Sequence, residues 1–221
     1  ARLAAALADP AAGLRVTEAA TGRVNLHAPG PGVARIDAAA IGRVNAVDPM
    51  ITVATVPEWQ RCAARTMIAT VKIISYGVPE AALEAACEAG RGAIGFAPPV
   101  LERAALIETV IGERPQKGAE ATRERLSRMG VEMDGPERVP HETGALTRAL
   151  TVTDAPLVLI LTGSATSDPH DVGPEAVRRA AGTVEHVGMP VDPGNLLFLG
   201  RIGATRVIGL PGCARSPALN G

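Results

Sequence analysis

The stretch LVLILTGSATSDPHDVGPEAVRRA, residues 157–180, decides the fold. It begins as an apolar run, passes through small and acidic residues, and resolves into a helical segment behind Pro174. A short apolar run without alternation reads as a strand buried on both faces. Such a strand followed by a helix belongs to a parallel sheet covered by helices on both sides. Ligands in these folds collect at the carboxyl ends of the strands, and the loop around residues 162–173 falls at one of them.

Working outward, the same alternation recurs. AALIETVIG reads as a strand, KGAEATRERLSRMG as a helix closed by Gly130, VEMDGPERVP as a strand and HETGALTRAL as a helix. Downstream of the opening stretch, TVEHVGMPV and then LLFLG and TRVIGLPG read as three more strands. The pattern changes near residue 100, where FAPPVLERAA supplies a Pro-Pro stop. Before it, GLRVTEAATGRVNLHA reads as a hairpin around Thr21-Gly22, VARIDAAAIGRVNAV has helical spacing, ITVATV and TMIATVKIISYGV read as strands, and PEAALEAACEAG reads as a helix. The expected architecture is an α/β domain over residues 103–221, three-layered, with a mostly parallel sheet and helices on both faces. A smaller α+β domain over residues 1–100, with no chemical motif, precedes it.

Composition bounds the function. The 221 residues carry a net charge of -1 and only 2% aromatic residues, so neither an electrostatic footprint nor stacking platforms for nucleic acid are present. Cys62, Cys87 and Cys213 form no C-x-x-C pair, which argues against a disulfide framework or a zinc site and for a reducing cytoplasm. The opening ARLAAALADP is too short for a signal peptide, and no apolar run approaches the ~18 residues of a membrane span. The chain has no initiator Met and stops at SPALNG, a helix start with no helix after it; a piece of a longer protein is expected.

The loop has a physical logic of its own. Gly163, Ser164, Ala165, Thr166 and Ser167 let backbone amides approach a ligand, and a helix N-terminus beyond them favours a phosphate or carboxylate. Asp168 and Asp171 would repel a bare anion; Mg²⁺ held by both would remove the conflict. Asp171 also sits where a side chain caps the helix, and capping and ligand binding are compatible. His170 between two acids reads as a solvated residue rather than a metal ligand, and His141 and His186 read as structural. The loop lacks G-K-[ST] and G-x-G-x-x-G, so it is neither a P-loop nor a dinucleotide fingerprint.

Three blocks in fixed order, TGSATSDPHDVGPEAV (162–177), GMPVDPGNLLFLG (188–200) and VIGLPGCARSPAL (207–219), resemble the molybdopterin-binding domain of molybdenum-cofactor biosynthesis. That family includes molybdopterin adenylyltransferases, molybdotransferases, gephyrin-type proteins and competence-damage-inducible proteins. Thr162, Gly163, Asp171, Pro174, Glu175 and Ala176 match its first block, with Ser164 in place of a second glycine. Gly209, Leu210, Pro211, Gly212 and Ser216 match its third. The resemblance implies the molybdopterin-binding fold over residues 103–221 and a pocket that binds the pterin and its phosphate through Thr162, Gly163, Ser164, Ser167, Gly194, Pro211, Gly212, Arg215 and Ser216. Mg²⁺ would be held by Asp168 and Asp171, with Asp171 and Glu113 as catalytic residues, and the protein would form a dimer or trimer.

The departures matter equally. Where the family's molybdotransferases carry two lysines in the second block, this chain has Asp192 and Asn195; Arg215 or Arg201 would have to supply positive charge instead. A molybdopterin-binding protein that does not insert molybdate is therefore expected. The alternatives are an active adenylyltransferase or molybdotransferase, which would also take ATP, and a nucleotide pyrophosphatase of the competence-damage-inducible type.

Overall fold

The computed structural model describes residues 1–74, 77–112 and 118–218. These divide into two compact units, residues 1–99 and 100–221.

In the first unit, α1 (Arg2–Leu7), β1 (Arg15–Val16), β2 (Arg23–His27), β3 (Gly32–Ile36), α2 (Ala38–Asn45), β4 (Ile51–Thr55), β5 (Arg61–Cys62), β6 (Met67–Ile73), α3 (Glu80–Ala89) and β7 (Ile94–Ala97) follow in order. They build two antiparallel sheets, β1-β2-β6-β4 and β5-β3-β7. β1 and β2 pair as a hairpin whose turn residues Thr21 and Gly22 have φ of 50° and 69°, the left-handed pair that matches strand twist. The apolar opening is α1, which buries Leu3, Ala4 and Leu7 in this unit's core. The segment with helical spacing is instead β3 followed by α2: Asp37 accepts a hydrogen bond from Ala40 N at 2.8 Å and starts the helix after the strand.

The second unit runs β8 (Arg103–Val110), α4 (Ala119–Ser127), β9 (Glu132–Pro140), α5 (Thr143–Val152), β10 (Leu157–Leu161), α6 (Val172–Arg179), β11 (Thr183–Val187), β12 (Phe198–Ile202), β13 (Thr205–Leu210) and a 3₁₀ turn, Gly212–Arg215. Its sheet has the order β11-β12-β13-β10-β8-β9. β9, β8, β10 and β13 are parallel; β12 is antiparallel to both of its neighbours. The fold is α/β with a mixed, mostly parallel sheet.

Strand periodicity sorts the side chains into two layers. Ala105, Ile107, Val158, Ile160 and Val207 pack with Leu146 and Ala149 of α5 and Ala176 and Val177 of α6. Ala104, Leu106, Leu159 and Leu161 pack with Leu126 of α4 and Ala214 of the 3₁₀ turn. Helices thus cover both faces, as continuous apolar strands require. Phe198, wholly buried, anchors the first layer. A Cβ at Gly209 would lie 1.8 Å from its ring and one at Gly173 2.9 Å from it, so both glycines are fixed by this one aromatic side chain.

Candidate functional site

Because β8, β9, β10 and β13 are parallel, the segments that follow them leave the same end of the sheet. Those segments carry most of the residues singled out in the sequence. Glu113 lies outside the described residues.

The loop after β10 is closed by its own acids. Asp171 Oδ2 accepts hydrogen bonds from the amides of Ser167 at 2.8 Å and Asp168 at 2.9 Å, and Asp168 Oδ1 accepts from His170 N at 2.7 Å. The helix starts at Val172, two residues before Pro174, with Asp171 at its N-cap position but no side-chain capping bond. The capping reading of Asp171 is therefore corrected: its carboxylate serves the preceding loop. Among the described residues no group of three or more His, Cys, Asp or Glu side chains is placed to hold a metal ion.

Thr162 begins the loop. Its hydroxyl donates to Ser164 O at 2.7 Å and its carbonyl accepts from Arg215 Nη2. Gly163 is required by close approach, since a Cβ there would lie 2.9 Å from Thr109 O. Its amide donates to Thr109 Oγ1 at 2.8 Å. Thr109 Oγ1 is 2.8 Å from His141 Nδ1, and His141 Nε2 is 2.8 Å from Ser164 Oγ. Thr109 is fully buried, whereas Ser164 is exposed. Burial holds the His141 imidazole below its ordinary pKa, with Asp171 pulling the other way. His141, read as structural from its place at a helix start, thus joins β8 and β9 to the loop after β10.

The segment after β13 reaches the loop through Arg215. Its guanidinium is half-buried, which lowers its pKa, while Glu108 raises it. Arg125 on α4 holds this segment by donating to Ala214 O at 2.5 Å, to Ser216 O, and to Ala218 O at 3.2 Å. The Ser216 hydroxyl accepts from Ala218 N at 3.2 Å. Pro211 is buried and Gly212 is exposed, and a Cβ at Gly212 would meet nothing within 4 Å. The packing around Gly212 therefore does not demand a glycine.

Gly194 lies in the loop after β11, which Gly188 N and Met189 N tie to Leu197 O and Asn195 O at 2.7 and 2.9 Å. Among the described residues no hydrogen bond or ion pair links it to the loop after β10. Asp192 and Asn195 are exposed in the same loop. Arg201 pairs with Glu185 at 2.9 Å and stands opposite Arg206, at the amino end of β13. It is at the far end of the sheet from these loops, so it cannot supply their positive charge.

Sequence reasoning missed Thr109, His141, Arg125 and Glu108. The last is a wholly buried carboxylate whose Oε2 meets Arg138 Nε at 3.0 Å and whose Oε1 has no hydrogen-bond partner among the described residues. A glutamate and a threonine at the end of the otherwise apolar run AALIETV were the available signal.

No family model and no curated relative matches the chain. A solved structure of molybdenum cofactor biosynthesis protein B is similar at 17% identity over 54% of this chain and 86% of that one, with a TM-score of 0.39. A molybdopterin biosynthesis MoeA protein from Pyrococcus horikosii is similar at 14% identity over 91% of this chain and 70% of that one, also with a TM-score of 0.39. At this distance the likenesses decide nothing about the chemistry of the loops.

Proposed function

We propose that the second unit binds the phosphorylated pterin of molybdenum-cofactor biosynthesis in the loops at the carboxyl ends of its parallel strands. The observation that carries the reading is Arg215, half-buried and bonded to Thr162 O. It sets a permanent positive charge against the small-residue loop, where a phosphate would also meet backbone amides and the Ser164 hydroxyl. The sequence resemblance narrows the phosphate ligand to a pterin.

Mg²⁺ takes one or two carboxylates together with waters and phosphate oxygens, so a prebuilt cluster is not needed for a metal that arrives with the ligand. Asp168 and Asp171 are its proposed ligands, although each already has an oxygen engaged by loop amides. The two roles of Asp171 separate experimentally. If it holds metal, Asp171→Asn weakens phosphate binding in Mg²⁺ and alters it little in EDTA. Equal weakening in both buffers assigns Asp171 to loop closure alone.

Molybdate insertion is not part of the proposal. A second dianion beside a phosphate meets repulsion of roughly 4 kcal/mol per close charge pair at an effective dielectric near 20, and the second block offers Asp192 and Asn195 rather than cations. Reconstitution of an apo-molybdoenzyme from molybdopterin, ATP and molybdate should fail with the wild type and improve with Asp192→Lys/Asn195→Lys. Mass spectrometry of small molecules that copurify with the protein tests the main reading: a pterin phosphate or its nucleotide is expected. Absence of any pterin, together with no saturable binding of an added pterin phosphate, overturns it.

A further inference from the structure

The contacts among Gly163, Thr109, His141 and Ser164 fix where their protons lie. The Gly163 amide can only donate, so Thr109 Oγ1 accepts from it at 2.8 Å. The Thr109 hydroxyl is fully buried, and the acceptor in reach of its proton among the described residues is His141 Nδ1, 2.8 Å away. Leaving a buried hydroxyl proton without an acceptor is costly, so Thr109 donates to Nδ1 and the neutral imidazole carries its proton on Nε2. That proton is donated to Ser164 Oγ, also at 2.8 Å. Ser164 is exposed and makes no other side-chain hydrogen bond among the described residues, so its own proton is available to an acceptor outside the protein.

We propose that these four groups form a one-directional hydrogen-bond chain, from amide to threonine to histidine to serine, that presents the Ser164 hydroxyl as a donor to an oxyanion of the ligand. This rests on the phosphate-site reading above and names the contact that selects for an acceptor oxygen. Successive donation polarises each link and strengthens the last donor. His141 is a positioning residue: it fixes the direction of the Ser164 proton without touching the ligand. The same tautomer makes Ser164 a poor nucleophile, because Nε2 already carries a proton and cannot accept the one an attacking hydroxyl must lose. A Ser-His arrangement that suggests a hydrolase thus becomes a binding device.

The test uses the full chain and inorganic phosphate as the probe. Nitrogen-15 spectra of histidine-labelled protein at about pH 7.5, with the His141 signal assigned from His141→Gln, should show a neutral ring protonated on Nε2. Phosphate should shift that signal saturably. Ser164→Ala should weaken phosphate binding by about tenfold, the size expected for a hydrogen bond to a charged group, while Ser164→Thr, which keeps the hydroxyl, stays close to wild type. A phosphonofluoridate serine probe should leave Ser164 unlabelled. A ring protonated on Nδ1, labelling of Ser164, or full phosphate affinity in Ser164→Ala overturns the chain while leaving the pocket standing. No saturable phosphate binding by the wild type overturns the pocket, and the chain's ligand with it.

Discussion

Glu108 and Thr109 are consecutive on β8, both wholly buried, and the strand turns them to opposite faces of the sheet. Thr109 follows Ala105 and Ile107 into the layer under α5 and α6; Glu108 follows Ala104 and Leu106 into the layer under α4. On one side a small hydroxyl both accepts and donates, through Gly163 N and His141 Nδ1. On the other, a carboxylate is buried with one oxygen on a half-exposed arginine and the other without a hydrogen-bond partner among the described residues. Burying a polar group is cheap when it is hydrogen-bonded and expensive when it is a charge left partly unpaired. Thr109 therefore works as framework, whereas Glu108 is maintained at a cost. Its effect on Arg215 is a physical reason to keep it.

Breaking the matched side should produce the largest change. Thr109→Val keeps the volume but leaves the Gly163 amide and His141 Nδ1 without their partner. Each loss costs about 1–3 kcal/mol when the group stays buried, and the half-exposed imidazole recovers part of its share from water. A net destabilisation of about 2–3 kcal/mol is expected in chemical denaturation. A change within ~0.5 kcal/mol, the usual range for surface substitutions, would show that Thr109 does not hold the loop.

The opposite side should respond with the opposite sign. Glu108→Leu removes a buried charge, and Arg138, already half in water, rehydrates at little cost. Replacing buried ionic groups by apolar ones of similar volume is often neutral or stabilising by 1–4 kcal/mol; about 1 kcal/mol of gain is expected, with phosphate binding equal or tighter, because Arg215 stays protonated while a neighbouring negative charge is removed. A loss of stability would mean that the carboxylate is a net structural asset, and the contrast with Thr109 would collapse.

What the sequence revealed follows from the range of the interactions involved. The α/β alternation was legible in LVLIL and in AALI because a strand buried on both faces is mostly apolar along a continuous run, and that is local information; Glu108 and Thr109 are the buried exceptions at the end of the second run. The helical spacing assigned to VARIDAAAIGRVNAV held only for Ala38–Asn45, because Asp37 starts the helix after a five-residue strand, and alanine-rich segments carry little periodicity. The loop after β10 was legible as a turn at the carboxyl end of a parallel strand, but the partners of its side chains were not. Asp171 at a helix start suggests a cap by position alone, and only the closed loop shows its carboxylate turned back onto Ser167 and Asp168. His141 and Thr109 are 32 residues apart and meet because β8 and β9 are parallel neighbours. No spacing rule within either segment could have paired them.

The smallest predicted effect is a pH dependence confined to the Thr109 side. Burial lowers the His141 pKa in the folded protein below its ordinary 6.5, against a smaller opposing pull from Asp171. The unfolded chain therefore binds a proton at a pH where the folded protein still resists it, and stability rises with pH across that interval. Its contribution is complete above about pH 6.5 and is lost as the pH falls from there through the folded-state value. Denaturation midpoints measured from about pH 5 to 7.5 should fall more steeply on the acid side for the wild type than for His141→Gln, which has no ring to titrate. The loss of carboxylate charges is common to both proteins and cancels in the comparison. Glu108→Leu should keep the wild-type difference, since its side of the sheet is not in the chain. Thr109→Val should reduce it, because freeing Nδ1 from its role as acceptor removes one obstacle to protonation. Parallel pH curves for the wild type and His141→Gln would mean that the imidazole titrates alike in both states. They would also leave the two faces of β8 without an electrostatic difference.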